Sequence, residues 1–281
     1  MLLPMPAWTT KNGVAYDPVA LDRVERRFWR EIWDSVPAEV AEEHGIARRG
    51  FGPIQATIVR DLGPVGMINL LLGAAEDSGG EHLEAATAWA EEQGANPYVP
   101  LTLDLPGSAG AQEWLARNGF TTAYGLMKFV RDPHPPRFPA PDGIEVVEVT
   151  APDQEPFGAI AAFGFGMPAW GAEFFAHLPG REGWRCYVAR VDGEAQGCGA
   201  MVIEDGIAEL GIGATLEPAR GRGCQTALLH QRISDAAAAG CHTLLVETGE
   251  RVPDRPEASY RNILKAGFEE AYQRPNWQRR R

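Results

Sequence analysis

Cysteine is scarce in this sequence and poorly spaced for structural chemistry. The four residues, Cys186, Cys198, Cys224 and Cys241, all fall in the second half. They form no C-x-x-C pair and no His/Cys cluster with zinc spacing, so neither a disulfide framework nor a metal site is expected. Reduced, buried thiols are the expected state. Long hydrophobic runs are also missing. None reaches the roughly 18 residues that a membrane-spanning helix needs. The opening "MLLPMPAWTTKNG" is too short and too broken by proline for a signal-peptide core, and a cytoplasmic protein is expected. Positive charge is short: 26 Lys and Arg stand against 38 Asp and Glu, a net charge of -12. The deficit is even, with 12 against 18 in residues 1–140 and 14 against 20 in residues 141–281. Neither half is therefore a basic module that would track nucleic acid. The arginines at 279–281 read as a frayed, solvated end. The phosphate-loop pattern G-x-x-x-x-G-K-[ST] is absent.

What remains is an ordinary globular composition, 44% hydrophobic and 23% charged over 281 residues, enough for one large domain or two modest ones. An internal repeat favours two. "WLARNGFTTAYGLMKF", starting at Trp114, echoes "ILKAGFEEAYQRPNW", starting at Ile263. Gly119, Phe120, Ala123 and Tyr124 match Gly267, Phe268, Ala271 and Tyr272 at an offset of 148. Upstream, an Ala-rich helix ends at Gly94 in one copy and at Gly240 in the other, an offset of 146. A glycine there suits a helix C-cap. A repeat this long predicts two related domains. The boundary is expected in the proline-rich stretch 131–143, giving domains 1–135 and 136–281.

The second half reads as a mixed sheet with helices packed on it. "IEVVEV" alternates as a strand, and "DQEPFGAIAAFGF" and "AWGAEFFAHL" look helical. A hairpin turns at Asp192-Gly193, and "IAELGIGATL" is a strand. "GCQTALLHQRISDAAAAG" is a helix, "TLLVE" a strand, "ASYRNILKAG" a helix and "EEAYQRPNW" a closing strand. The first half has the same ending, preceded by a helix at "DRVERRFWREIWDSV" and strands at "PIQATIV" and "MINLLLG".

"ATLEPARGRGCQTALL" runs from strand to helix through two glycines flanked by arginines. A helix N-terminus presents unpaired N–H groups and the positive end of a dipole. Glycines let the backbone approach an anion, and Arg220 and Arg222 add charge-assisted hydrogen bonds. Three readings compete. One is a solvated basic turn. Another is a dinucleotide fingerprint: Gly221 and Gly223 fit G-x-G, and Glu247 mimics the ribose-binding acid. However, the third glycine is Thr226, and "EPAR" intervenes where a tight turn is expected.

The third reading is a family resemblance. Arg220 to Gln225 resembles the R/Q-x-x-G-x-G/A motif of the GNAT acetyltransferase superfamily. A strand ending in "ATL", a proline two residues before the arginine, "ALL" on the helix and "SYRNILKAGF" downstream occur in the family's order. The resemblance covers about residues 143–277; the first half resembles the family only weakly. It implies an α/β (α+β) chain of two GNAT-like domains, each a mixed, splayed, mostly antiparallel sheet with helices on both faces. It also implies acetyl-CoA lying where the fourth and fifth strands part. Its pantetheine would pair with the backbone of Gly213, Ala214 and Thr215. Its pyrophosphate would sit on the amides of Arg220, Gly221, Arg222, Gly223, Cys224 and Gln225, with Ser259 touching the cofactor from the last helix. Two positions depart from the pattern. Gln225 stands where the motif has a small residue. Ile263 stands where many members carry a tyrosine, as acid for the leaving thiolate. Tyr260 is a turn away and is read as lying on another face. A thiol with a pKa of about 8.5 can leave without a protein acid.

Acetyl transfer needs a neutral amine, so something must take its proton. Glu209, eleven residues before Arg220, has the spacing of the basic glutamate in the family's histone-acetylating branch. Its apolar surroundings, "GIAELGIG", would raise its pKa. Glu247 is a second base or a site for a cationic substrate, and a backbone N–H of the fourth strand would stabilise the oxyanion. Water-facing carboxylates are the alternative for both glutamates. His230 and His242 read as structural. Trp170, Phe174, Phe175 and Trp277 read as core or as acceptor pocket. Carrying the repeat back from Gly94 places the motif on residues 74–79, "AAEDSG", where Glu76 and Asp77 would repel a pyrophosphate. The expected activity is therefore N-acetylation of a small-molecule amine by the second domain, with no nucleic-acid or membrane partner. A non-catalytic acyl-CoA sensor is the alternative.

Overall fold

A computed structural model describes residues 8–63, 67–152, 154–253 and 257–280. A short antiparallel pair, β1 (Trp8–Thr9) and β2 (Ala15–Tyr16), precedes helix α1 (Pro18–Asp34). Asp17 caps that helix by accepting from the Val19 amide at 3.0 Å, and Pro18 occupies the first helical position. Helix α2 (Ala38–His44), strands β3 (Ile46–Phe51), β4 (Ile54–Val59) and β5 (Leu70–Leu72), and helix α3 (Glu81–Glu92) follow. Strand β6 (Val99–Pro100), helix α4 (Ser108–Arg117) and strands β7 (Phe120–Thr122) and β8 (Leu126–Arg131) complete the first half. The second half contains β9 (Ile144–Val149), α5 (Phe157–Gly164), α6 (Glu173–Ala176), β10 (Trp184–Val191), β11 (Glu194–Glu204) and β12 (Ile207–Thr215). It continues with α7 (Cys224–Ala238), β13 (Thr243–Gly249), α8 (Ala258–Lys265), β14 (Glu269–Arg274) and β15 (Asn276–Arg279). Asp192 and Gly193 make the β10–β11 turn with φ of 54° and 84°.

Two compact units result, and they are not the two halves. One comprises residues 1–36 and 128–271, the other residues 37–127 and 272–281. The stretch 132–142 is irregular, as its prolines require, yet it lies inside one unit. Strand pairing and helix packing override that signal. The larger unit holds a seven-stranded sheet in the order β14-β8-β13-β12-β11-β10-β9. Strand β8, from the first half, lies between β13 and β14. The smaller unit shows the reciprocal arrangement: β15, from the end of the chain, lies between β6 and β7. "EEAYQRPNW" is accordingly two strands broken at Pro275, not one.

In the larger unit, β9 to β12 pair antiparallel and β12 pairs parallel to β13. Helices α1 and α5 pack on one face and α7 on the other. Phe28 of α1 lies directly over Gly211, where a Cβ would collide with its ring. Arg27 anchors the same helix to the carbonyls of Glu182 and Ile203 at 2.9 and 3.3 Å. On the opposite face, buried Arg232 of α7 donates to the carbonyls of Ala200 and Gly211, both at 3.1 Å.

In the smaller unit, β3, β4 and β5 form an antiparallel sheet and α3 packs on β3 and β4. A single parallel bridge, Leu70 to Tyr98, connects β5 with the segment leading to β6. Ile54, Leu71, Leu83, Leu115, Phe120 and Trp277 share its core. Trp277 is therefore core rather than pocket. Among the described residues, no helix is long and apolar enough to cross a membrane.

Candidate functional site

Strands β12 and β13 pair from Ile207↔Thr243 to Leu210↔Val246 and then part. Strand β12 continues to Thr215 and β13 to Gly249, so Gly213, Ala214 and Thr215 lie beyond the last rung. A bulge interrupts β12 at the same point. Ala200 opposes Gly211 and Cys198 opposes Ala214, leaving one extra residue on β12. Ile212 takes a φ of 52°. A β-branched residue in that region is strained by about 1–3 kcal/mol and persists only where its surroundings impose it. Here the Cys198 thiol donates to the Ile212 carbonyl, at 3.4 Å.

A 3-10 turn at Glu217–Ala219 leads from β12 to Arg220. Gly221 and Gly223 both have positive φ, 77° and 98°. Nothing lies within 4 Å of a Cβ built on Gly221, so its backbone faces open space. Gly223 caps α7 without any side-chain acceptor for the helix's first amides. Arg220 and Arg222 are exposed on either side of Gly221. Arg222 pairs with Asp192 at 2.9 Å, an exposed contact of little energetic weight. Cys224 is buried at the first helical position. Gln225 turns away from the open turn. Its amide donates to the Ala214 carbonyl at 2.8 Å and the Thr215 hydroxyl at 3.0 Å. The Arg220 and Arg222 amides are taken by the carbonyls of Glu217 and Ala219 at 3.1 and 3.2 Å, so the turn offers an extended diphosphate the uncapped start of α7, two glycines and two guanidiniums. Ser259 is exposed in the first turn of α8.

Tyr260 and Ile263 share the buried face of α8, a correction to the separate faces expected. The Tyr260 hydroxyl donates to Glu270 at 2.5 Å. Burial, and then that carboxylate, push its pKa well above the ordinary tyrosine value. His242 bonds Thr243 and the Asp205 carbonyl, and His230 meets the edge of Phe138. Phe174 and Phe175 are buried, whereas Phe163 and Phe165 at the end of α5 are exposed.

Glu209 is 1% exposed, so it is not a carboxylate facing water. Glu209 pairs with Val202 and with Leu245 in register, which puts its side chain on the face covered by α1. Glu247 follows Leu245 by two residues on that face. Lys128 of β8 is fully buried and pairs with Glu25 of α1 at 2.7 Å and with Glu247. One Glu209 carboxylate oxygen is buried without a hydrogen-bond partner among the described residues. Burial first, opposed by Lys128 and reinforced by Glu247 and Asp22, raises the Glu209 pKa to about 8. Lys128 and Glu25 escaped the sequence reading, although a lysine inside the apolar run "LMKFV" signals a buried ion pair.

The helix start in the smaller unit corrects the register of the repeat. A 3-10 turn at Ala74–Glu76 and Gly80, at φ 79°, precede α3 as Glu217–Ala219 and Gly223 precede α7. Matched from these starts, Arg220 corresponds to Asp77 and Arg222 to Gly79, three residues from the register carried back from the helix ends. Asp77 is buried, accepts from the Leu83 amide at 2.7 Å and contacts His82 at 3.1 Å.

No family model and no curated protein matches the sequence. Solved structures do. A GCN5-related N-acetyltransferase from Kribbella flavida superposes with a TM-score of 0.58 at 18% identity, covering 89% of this chain and 95% of its own. One from Sphaerobacter thermophilus gives 0.58 at 15%, covering 86% and 84%. A tandem GNAT protein from the clavulanic acid biosynthesis pathway gives 0.56 at 16%, covering 80% and 77%. With β12 parting from β13 beside a glycine-arginine turn, the chain has the fold of the GCN5-related N-acetyltransferases, in a tandem arrangement.

Proposed function

We propose that the protein is an acetyl-CoA-dependent N-acyltransferase that acylates a small-molecule amine. The observation that carries this reading is the open turn at Gly221 and Gly223, uncapped and flanked by two exposed arginines, next to the point where β12 leaves β13. The amides of Gly221, Gly223, Cys224 and Gln225 and the guanidiniums of Arg220 and Arg222 would hold the pyrophosphate, the backbone of Gly213, Ala214 and Thr215 the pantetheine, and Ser259 a further part of the cofactor. Bound there, acetyl-CoA supplies an activated acyl thioester. The protein must then take a proton from the amine and steady negative charge on the acyl oxygen. Glu209, whose burial raises its proton affinity toward neutrality, is the candidate base. Glu247, partly exposed in the same cluster, offers the amine a carboxylate on the solvent side. The bulge at Ile212 takes a peptide group out of the ladder, where an N–H can face the acyl oxygen.

One observation favours a second reading, a non-catalytic acyl-CoA sensor. Ile263 is buried where an acid could stand, and the Tyr260 hydroxyl is committed to Glu270. Release of free CoA with a panel of amines separates the two readings. Turnover supports the enzyme, and binding without turnover on any amine supports the sensor. If Glu209→Gln left both the rate and the pH–rate profile unchanged, the base would lie elsewhere.

A further inference from the structure

The buried charges beneath the strand parting do more than balance one another. Four elements converge there: α1 with Asp22 and Glu25, β12 with Glu209, β13 with Glu247 and β8 with Lys128. Asp22 is itself paired with Arg26 at 3.0 Å. Lys128 has no exposed surface, and Glu25 has 2%. Glu209 has an unpartnered oxygen in the same interior. Among the described carboxylates of the cluster, Glu247 keeps 16% of its side chain exposed and Asp22, held by Arg26, keeps 20%. Glu247 is thus the partly exposed carboxylate bound directly to the ammonium, and that ammonium is the cation that acts on Glu209.

We propose that Lys128 is a positioning residue for the acid–base pair, its ammonium holding the Glu247 carboxylate and setting how tightly Glu209 keeps its proton. The purpose of the pair rests on the acyltransferase reading; the control of its protonation does not. With the ammonium in place, the Glu247 carboxylate is held at the edge of the cluster while Glu209 keeps its proton to about pH 8. Without it, the one cation that lowers the proton affinity of Glu209 is gone, and Glu209 titrates higher.

The test is carboxyl NMR on protein labelled with 13C at the glutamate side chains, with Glu209→Gln assigning the resonance. In the unaltered protein Glu209 should titrate near 8. Deleting the Lys128–Glu25 pair as a unit, in Lys128→Met/Glu25→Leu or in Lys128→Gln/Glu25→Gln, should move that titration up by about one pH unit or more. Lys128→Arg, which keeps the charge, should restore it. A Glu209 titration unmoved in whichever deletion variant folds would overturn the proposal. Where neither folds, Glu247→Gln decides: it leaves the ammonium facing Glu209 alone, so the titration should fall, and no movement overturns the proposal. Rate measurements then separate the two readings. If an amine is accepted, the rising limb of kcat against pH should follow the NMR titration across the variants while KM stays level. If no amine is accepted, the acyltransferase reading fails and the NMR result still decides the role of Lys128.

Discussion

The starts of α7 and α3 have the same backbone plan and opposite chemistry. Both follow a 3-10 turn and both are opened by a left-handed glycine, Gly223 in one and Gly80 in the other. At α7 the amides have no side-chain cap, arginines stand beside them, and Gly221 faces open space. At α3 the place of Arg220 is taken by Asp77, whose buried carboxylate already occupies the Leu83 amide. A Cβ on Gly80 would strike Trp114, so that glycine serves packing. A helix N-terminus attracts anions in both cases. The difference is whether the chain supplies its own anion or leaves the place open. The smaller unit has closed on itself, and the larger has not.

That comparison can be broken from the open side first. Transplanting the closed start, as Arg220→Asp/Arg222→Gly, removes two charge-assisted donors and adds an internal anion. Acetyl-CoA affinity should fall by about a hundredfold or more, read by calorimetry with folding checked by circular dichroism. A smaller effect is expected from the closed side. Asp77→Ala removes the carboxylate cap of α3 and should destabilise the protein by about 1 kcal/mol in denaturant titration. It should not create a second acetyl-CoA site, because no arginine flanks that turn.

Buried charge sharpens the contrast further. The larger unit buries Glu209, Glu25 and Lys128 as one cluster, whereas in the smaller unit buried Asp77 serves a backbone amide beside an apolar core around Leu83 and Trp277. The Glu209 carboxyl is raised from an ordinary 4.5 to about 8 on folding. Its contribution to stability is full below the lower value and is lost as pH rises through the upper one. Thermal scans should show this part of the stability declining between about pH 4.5 and 8. Glu209→Gln should flatten the decline. An unchanged slope would mean that Glu209 titrates normally. The smallest effect belongs to Gln225→Ala. Freeing the Ala214 carbonyl should tighten acetyl-CoA binding by about fivefold, the value of one net hydrogen bond.

Much of this contrast was legible in the sequence, and the failures have physical causes. The repeat showed through Gly-Phe at the helix ends because a left-handed glycine stopping a helix leaves a fixed mark. Its register failed at the helix starts because α3 has 12 residues and α7 has 15. Helix length is set by packing, which the apolar pattern does not count. The proline-rich boundary misled because β8 and β15 have the same apolar pattern whichever sheet receives them. Asp77 was visible as a charge that would repel phosphate, but not as a cap, because its partner is a backbone amide. Gln225 looked like a defect in the motif, and only the nearness of the Ala214 carbonyl shows where a long side chain goes. Glu209 was singled out by the family resemblance at its spacing from Arg220, and its burial was legible in the apolar run around it. Lys128, the cation that acts on it, lies far away in sequence and reaches it only through strand exchange.

The most direct test of the account is the stoichiometry of acetyl-CoA binding, measured by isothermal titration calorimetry on the full chain. One equivalent per chain, abolished by Arg220→Asp/Arg222→Gly and untouched by Asp77→Ala, is the predicted result. Two equivalents would show that the smaller unit is open after all, and none would contradict the assignment of the α7 turn as a cofactor site.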